Sequence, residues 1–186
     1  MNLFRTLCVA AVLALGAAGL SSCLSPPDFS DTPEITFKEV RKYFIDRPRG
    51  QLDKDSLVFA LNFQDGDGDL GLTPNDLLNA PYYQDPNGPR NRNSFNYFIS
   101  IFRKNRTTGV FEPFNPGDPY DAYFPPPYPL ERPAPLKGVL EYALVLEPDG
   151  GQLLPNDELR FEISIQDRAL HESNKITTSS VVLGPN

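Results

Sequence analysis

Three aspartates alternate with glycines in the stretch FQDGDGDLGL, residues 63–72, and their carboxylates are the side chains of this sequence best suited to chemistry. Carboxylates at every second position let one loop wrap a hard cation, which takes about six to eight oxygen ligands. A bound cation would also remove the mutual repulsion of the carboxylates. If the first aspartate is position 1 of a calcium-binding loop, the ligand positions fall on Asp65, Asp67, Asp69, Gly71, Thr73 and Asp76. We therefore predict a Ca²⁺ site here.

The sequence does not decide which conformation this turn adopts. The position at which a calcium loop needs glycine is Leu70 here, and a branched residue resists a positive φ. Gly71 could supply that conformation one residue later. The loop would then differ from an EF-hand, and no flanking helices are predicted. The alternative is that the Asp-Gly repeats only form a turn.

A second strand end repeats the pattern. The stretch EISIQDR, residues 162–168, places Asp167 after a strand in the way that NFQDGDGD places Asp65. Asp167 would reach the first turn if both strands leave the same end of the fold, so it is also a candidate ligand. The alternative, which we favour, is that Asp167 pairs with Arg168 or caps the following turn.

Strands must place these turns, and apolar residues at every second position are typical of strands with one buried face. The alternation is clear in residues 56–64, 94–104 and 157–167, and weaker strands are predicted at 35–40, 109–114 and 176–183. Residues 138–148 are apolar on both faces near their middle, which predicts a central strand. DGGQLLPN, residues 149–156, predicts a hairpin connection to the next strand.

No window has a helical stripe that is capped at both ends, although NDLLNA, residues 75–80, could form one turn. The sequence therefore predicts an all-β fold. We expect an antiparallel, immunoglobulin-like β-sandwich of about seven strands with a long proline-rich loop.

The proline-rich loop, residues 112–138, carries nine prolines. Its aromatic residues argue against disorder, because disordered linkers are poor in aromatics. Four of them could stack on a sugar ring or contact a partner protein: Tyr120, Tyr123, Phe124 and Tyr128. The alternative, which we favour, is that these side chains cover the core as a lid.

The first residues have the composition of an export signal: Arg5, an apolar run over 7–20, and small residues before Cys23. At about 1.5 Å a residue, this run is too short to cross a membrane core of about 30 Å. Leu20 to Cys23 resembles the bacterial lipobox, which implies cleavage before Cys23, a diacylglyceryl thioether on its sulfur and acylation of the new N-terminus. The alternative is an ordinary secretory signal with a chance cysteine, but lipidation also explains a cysteine that could form no disulfide after cleavage.

The predicted organisation is a signal peptide over 1–22, a lipidated Cys23 with a tether over 23–34, and one domain over 35–186. The net charge of −7 argues against nucleic acid or anionic lipid head groups as partners. We expect the protein to contact the membrane through its acyl chains.

These features resemble the small uncharacterised lipoproteins of Bacteroidota. The likeness is carried by the lipobox ending at Cys23, by DGDGDLGL after a strand, and by DRALHESNKITT, residues 167–178, before the last strand. The resemblance implies an exported, β-rich, lipid-anchored domain and supplies no catalytic residue. The leucine after Cys23 favours the outer membrane, on its periplasmic or its surface face.

We expect a non-enzymatic binding or structural role in the cell envelope, with a protein or a glycan as partner. His171 is the only histidine, so Cys–His, Ser–His and His-rich zinc sites are poorly supported. A hydrolase that uses two carboxylates is the remaining catalytic alternative, but one shared cation accounts better for aspartates in a single turn. Exposed, coplanar aromatics in the proline-rich loop would favour a glycan, and buried ones would favour a structural role.

Overall fold

The computed structural model describes residues 27–48, 50–127, 134–148 and 151–185. The strands are β1 (Glu34–Ile45), β2 (Lys54–Asp65), β3 (Tyr97–Lys104), β4 (Phe111–Phe114), β5 (Leu136–Leu146), β6 (Glu158–Ile165), β7 (Ile176–Thr177) and β8 (Val181–Val182). Two short 3-10 turns, Asp76–Leu78 and Arg92–Ser94, are the helical elements of this part of the chain.

The strands form two antiparallel sheets. One sheet has the order β1-β2-β5, and the other has the order β4-β3-β6-β7, with β8 also pairing with β6. The prediction of an all-β, antiparallel sandwich is therefore confirmed. The segment predicted as one strand over 176–183 divides into β7 and β8, and the strand predicted over 35–40 extends to Ile45.

The core lies between the two sheets because β2, β3 and β6 each turn every second residue inward. The rings of Phe59 on β2 and Phe161 on β6 meet edge to face, with centroids 4.8 Å apart. Tyr97 on β3 lies against Tyr142 on β5, with centroids 4.7 Å apart. The inward residues of β2 and β6 are buried as the alternation predicted: Leu57, Phe59, Leu61, Phe63, Leu159, Phe161, Ile163 and Ile165.

Two predictions about β5 were wrong. Among the described residues β5 pairs only with β2, so it is an edge strand and β2 is the central one. Its apolar outer residues, such as Val139 and Val145, lie exposed on the outside of the sheet. The connection from β5 to β6 is not a hairpin, because β6 pairs with β3 in the other sheet. Turn-forming residues there mark a crossing between sheets, which local sequence cannot distinguish from a hairpin.

The predicted signal peptide and the first residues of the tether, including Cys23, lie outside the described residues. The tether is described from residue 27 onward, and residues 27–33 lead directly into β1. Pro33 is buried at the end of the tether. Asn174, after β6, fixes the start of β1, since its side chain accepts from the Ile35 N–H and donates to the Ile35 carbonyl, both at 2.9 Å.

The tyrosine in the core allows a test of the packing. Tyr97 is fully buried, and its hydroxyl has no hydrogen-bond partner among the described residues. Because an unsatisfied buried hydroxyl costs about 1–3 kcal/mol, Tyr97→Phe is expected to leave the free energy of unfolding unchanged or to raise it. Phe161→Ala, which removes the ring between the sheets, should cost about 3–5 kcal/mol. Urea denaturation measures both, and equal losses would contradict this account of the core.

Candidate cation site

The alternation of β2 places its last residue inside the protein. Leu57, Phe59, Leu61 and Phe63 face the core, so Asp65, two residues further, also points inward and is fully buried. The acidic turn, residues 65–72, then leaves the sheet. A charged side chain in this position is costly unless it is paired or neutralised.

The alternation of β6 has the same effect on the other sheet. Asp167 follows Ile163 and Ile165 in the same inward phase, and it is also buried. An isolated antiparallel bridge between Leu70 and Asp167 brings the acidic turn against the exit of β6. Arg168 reinforces this contact, because its backbone N–H and its Nε both donate to the Asp69 carbonyl, at 3.3 and 3.0 Å.

The aspartate cluster, Asp65, Asp69 and Asp167, is the result. One carboxylate oxygen from each residue lies within 4.8 Å of those of the other two. Both carboxylate oxygens of Asp65 and one of Asp69 are buried without a hydrogen-bond partner among the described residues. Oxygens that share one Ca²⁺ at 2.3–2.6 Å can lie about 5 Å apart, so the three carboxylates could bind a single ion.

Burial and mutual repulsion change the acidity of the cluster. Desolvation, followed by the charges of Asp67, Asp69 and Asp167, raises the pKa of Asp65 to about 7. Desolvation and the same kind of repulsion raise the pKa of Asp69 to about 6. Burial also raises the pKa of Asp167. Without a cation, the folded protein therefore favours protonated carboxyls here, whereas a cation would favour the ionised forms.

The sequence analysis missed the part that His171 takes at this site. Its backbone N–H donates to Asp167 Oδ1 at 2.7 Å, and its ring Nδ1 lies 3.0 Å from Asp167 Oδ2. These contacts fix the orientation of the Asp167 carboxylate, as neighbours of metal-binding carboxylates do. The spacing of four residues between Asp167 and His171 was the available signal.

The remaining residues of the predicted calcium loop lie elsewhere. Thr73 and Asp76 bond each other: the Thr73 N–H and hydroxyl donate to Asp76 Oδ2 at 2.7 and 2.8 Å, and the Asp76 N–H donates to Thr73 Oγ1. This closed turn uses Asp76 Oδ2 and Thr73 Oγ1, two of the oxygens that the loop numbering had assigned to the ion. The structure brings Asp65, Asp69 and Asp167 together and leaves Thr73 and Asp76 as a separate pair.

Asp67 and Gly71 hold the acidic turn in place. The Asp67 carbonyl accepts from the Ala134 N–H at 3.0 Å, and the Asp67 charge adds to the repulsion at Asp65. Gly71 has φ 90°, and a Cβ there would lie 2.3 Å from the backbone nitrogen of Pro126. Leu70 is buried in the core. Gly71 thus provides the conformation that Leu70 cannot adopt, beside the proline-rich loop.

The aromatic residues of the proline-rich loop are divided between core and surface. Phe124 is buried, and its backbone is held by the Asn96 side chain at 2.8 and 3.0 Å. Tyr120 is half-buried against the core, whereas Tyr123 is exposed. Tyr128 lies outside the described residues. Tyr120 also lines a groove of about 390 Å³ together with Phe114, Lys54, Glu147 and Gln152.

Comparisons with known proteins identify no relative. No family model, no curated protein and no solved structure matches this chain. Within the described ranges, no helix is long and apolar enough to cross a membrane. The aspartate cluster is therefore the feature of this chain from which a function can be inferred.

The raised pKa values predict an unusual pH dependence for the cation-free protein. The pKa of Asp65 rises from 3.8 to about 7 on folding. Between these pH values the folded state therefore binds more protons than the unfolded state. Stability then falls as pH rises through this window. His171 acts in the same direction at higher pH, because the nearby Asp167 charge raises its pKa above 6.5. Thermal melting in a chelator should show this fall between about pH 4 and 7.

The matched control is Asp65→Asn, which cannot ionise and should flatten this part of the profile. A melting temperature in chelator that rises steadily from pH 4 to 7 in the wild-type chain would contradict the buried, repelling cluster.

Proposed function

We propose that this protein is a lipid-anchored, exported domain of the cell envelope with a non-enzymatic binding or structural role. In this proposal a calcium ion bound by Asp65, Asp69 and Asp167 braces one end of the sandwich. The observation that carries it is the Asp65 carboxylate, which is fully buried and whose oxygens make no hydrogen bond of ordinary geometry among the described residues, the Gly68 N–H being a nearby donor. A buried, unpaired carboxylate is costly, and a cation would neutralise it.

The chemistry of the cluster favours calcium among common cations. Hard carboxylate oxygens suit Ca²⁺ and Mg²⁺, whereas structural zinc sites use Cys and His. The oxygen separations of up to 4.8 Å match the longer Ca²⁺–oxygen bonds better than the short, octahedral bonds of Mg²⁺. Backbone carbonyls and water would supply the other ligands. The affinity expected for such an exported module is about 10⁻⁴ to 10⁻³ M.

A structural role is supported by the position of the cluster. Asp65 belongs to one sheet and Asp167 follows a strand of the other, so an ion between them would tie the two sheets together. Carbohydrate binding is the second candidate function, because Tyr120 and Phe114 line a groove. It ranks second because Phe124 is buried and Tyr120 packs partly on the core, which supports a covering role for the proline-rich loop.

Calcium titration of the full chain in detergent micelles tests the ion site. At ten times the dissociation constant, calcium should stabilise the fold by about 1.4 kcal/mol, which is about 3–6 °C in melting temperature. Asp65→Asn should abolish both the calorimetric heat and the melting shift. Asp76→Asn should retain them, since Asp76 bonds Thr73 outside the cluster.

Two results would overturn this assignment. Absence of heat and of any shift at about 10 mM calcium would leave the acidic turn without an ion. Loss of binding in Asp76→Asn as well as in Asp65→Asn would instead favour the loop numbering predicted from sequence, in which both residues are ligands.

Lipid anchoring is tested separately. In a bacterial host with lipoprotein processing, the wild-type chain should incorporate labelled palmitate and sediment with membranes, because several acyl chains bind a bilayer firmly. Cys23→Ala should lose the label and should not be cleaved at this site. Cys8→Ala, which changes the other cysteine, should behave as the wild type. Equal labelling of the Cys23→Ala chain would rule out the anchor.

A further inference from the structure

We propose that cation binding at the aspartate cluster controls the docking of the tether: calcium keeps the tether against the acidic turn, and loss of calcium releases it. This inference rests on the proposed function, because it takes the same cluster as the ion site. It adds a regulated element, the segment that connects the domain to Cys23.

The first contact joins the tether to the residue beside Asp65. The backbone N–H of Gly66 donates to the Ser30 carbonyl at 2.8 Å. A Cβ built on Gly66 would lie 2.4 Å from the Phe29 carbonyl oxygen and 2.9 Å from the backbone of Ser30. The tether backbone therefore lies directly on the acidic turn, at a separation that only glycine allows.

The second contact joins the tether to the residue that orients Asp167. His171 bonds Asp167 through its backbone and its ring, and the backbone of Asp31 in the tether lies close enough to His171 to help raise the pKa of its ring. Asn174, three residues later, fixes the Ile35 backbone where the tether becomes β1. Asp65 is thus adjacent in sequence to Gly66, and Asp167 is bonded to His171, and both Gly66 and His171 lie against the tether.

The state of the cluster determines whether these contacts persist. With an ion bound, Asp65, Asp69 and Asp167 are drawn to one point, and Gly66 and His171 are held in the positions that meet the tether. Without an ion, nothing draws the three carboxylates to one point, and any that are ionised repel one another at separations below 5 Å. Opening the turn moves the Gly66 N–H away from Ser30, so the docked and released states differ in calcium affinity, as a ligand-controlled equilibrium requires.

Tether docking changes how far the domain can extend from its anchor. An extended chain spans at most about 3.3–3.6 Å a residue. From Cys23 to Phe29, where the docked segment meets the acidic turn, that limit is about 20 Å. From Cys23 to the start of β1 at Glu34 it is about 40 Å. Calcium would therefore reduce the reach of the domain by about half.

Hydrogen exchange of the full chain in detergent micelles, with calcium or with a chelator, tests the inference. Peptides covering residues 27–36 should exchange about tenfold more slowly in calcium, because docking packs the backbone of Phe29 and Ser30 against the acidic turn. Asp65→Asn removes an ion ligand and also one of the repelling charges, so its exchange should be the same with calcium and with chelator. Asp76→Asn should respond as the wild type. Calorimetry on the same samples reports whether calcium binds.

The outcomes separate the two proposals. Calcium heat with unchanged exchange over residues 27–36 would overturn tether control and leave the ion site intact. Absence of calcium heat would overturn both.

Thermodynamic linkage gives an independent test. If calcium binding strengthens tether docking, tether docking must strengthen calcium binding by the same factor. Gly66→Ala displaces the tether without changing a ligand and should weaken calcium binding at least about fivefold. Gly138→Ala is the matched control, since a Cβ there meets only the Phe63 ring, at 3.2 Å, and it should keep the wild-type affinity. Equal affinities for the two variants would overturn the inference.

Discussion

The inward alternation of β2 and β6 is the constraint on which the rest of the structure depends. It presses Phe59 against Phe161 and so joins the two sheets. Carried two residues past the last apolar position, the same alternation turns Asp65 and Asp167 inward. The packing that stabilises the sandwich and the burial that destabilises the carboxylates therefore have one geometric origin. Neither strand could be shifted by one residue without exposing its whole apolar face.

A buried group of three carboxylates can be neutralised by protons or by a cation. The raised pKa values of Asp65 and Asp69 describe the first route, and calcium binding would be the second. The two routes compete, because an ion is bound by ionised oxygens. The acidic turn is thus a place where the stability of the domain depends on the composition of its surroundings. The neighbouring segments, namely the tether, the proline-rich loop and the exit of β6, all contact this turn and share that dependence.

Much of this arrangement could be predicted from the sequence, and there are physical reasons why the other parts could not. Period-two alternation identified β2, β3 and β6 and their buried faces, because burial on one face imposes that pattern. Continued by two residues, the same alternation would have predicted that Asp65 and Asp167 point inward. The sequence analysis used only the similarity of the two strand ends, which suggests that both lie at the same end of the fold. The edge position of β5 and the crossing to β6 were not predictable, since a partly apolar outer face and a glycine-rich connection occur in both arrangements.

The calcium-loop numbering and the geometry of the structure select different residues around the acidic turn. Spacing along the chain favoured Thr73 and Asp76, which satisfy each other locally. The third carboxylate comes instead from a distant strand, through the bridge between Leu70 and Asp167. The similarity of the two strand ends made Asp167 a candidate ligand, although the sequence favoured a cap on the following turn, a contact that Asp167 also makes with the His171 N–H. Leu70 is better explained as a core residue than as a failed turn glycine.

The strand pairing also bears on how the protein folds. β2 pairs with β5, joining Asp55 to Leu146, and β3 pairs with β6 across another long stretch of chain. Distant pairings of this kind make folding slow, on the order of milliseconds to seconds. The aspartate cluster requires both sheets, so it can form only at the end of that process. If the ligands meet only after the transition state, a cation with affinity for the completed cluster would slow unfolding more than it would speed folding.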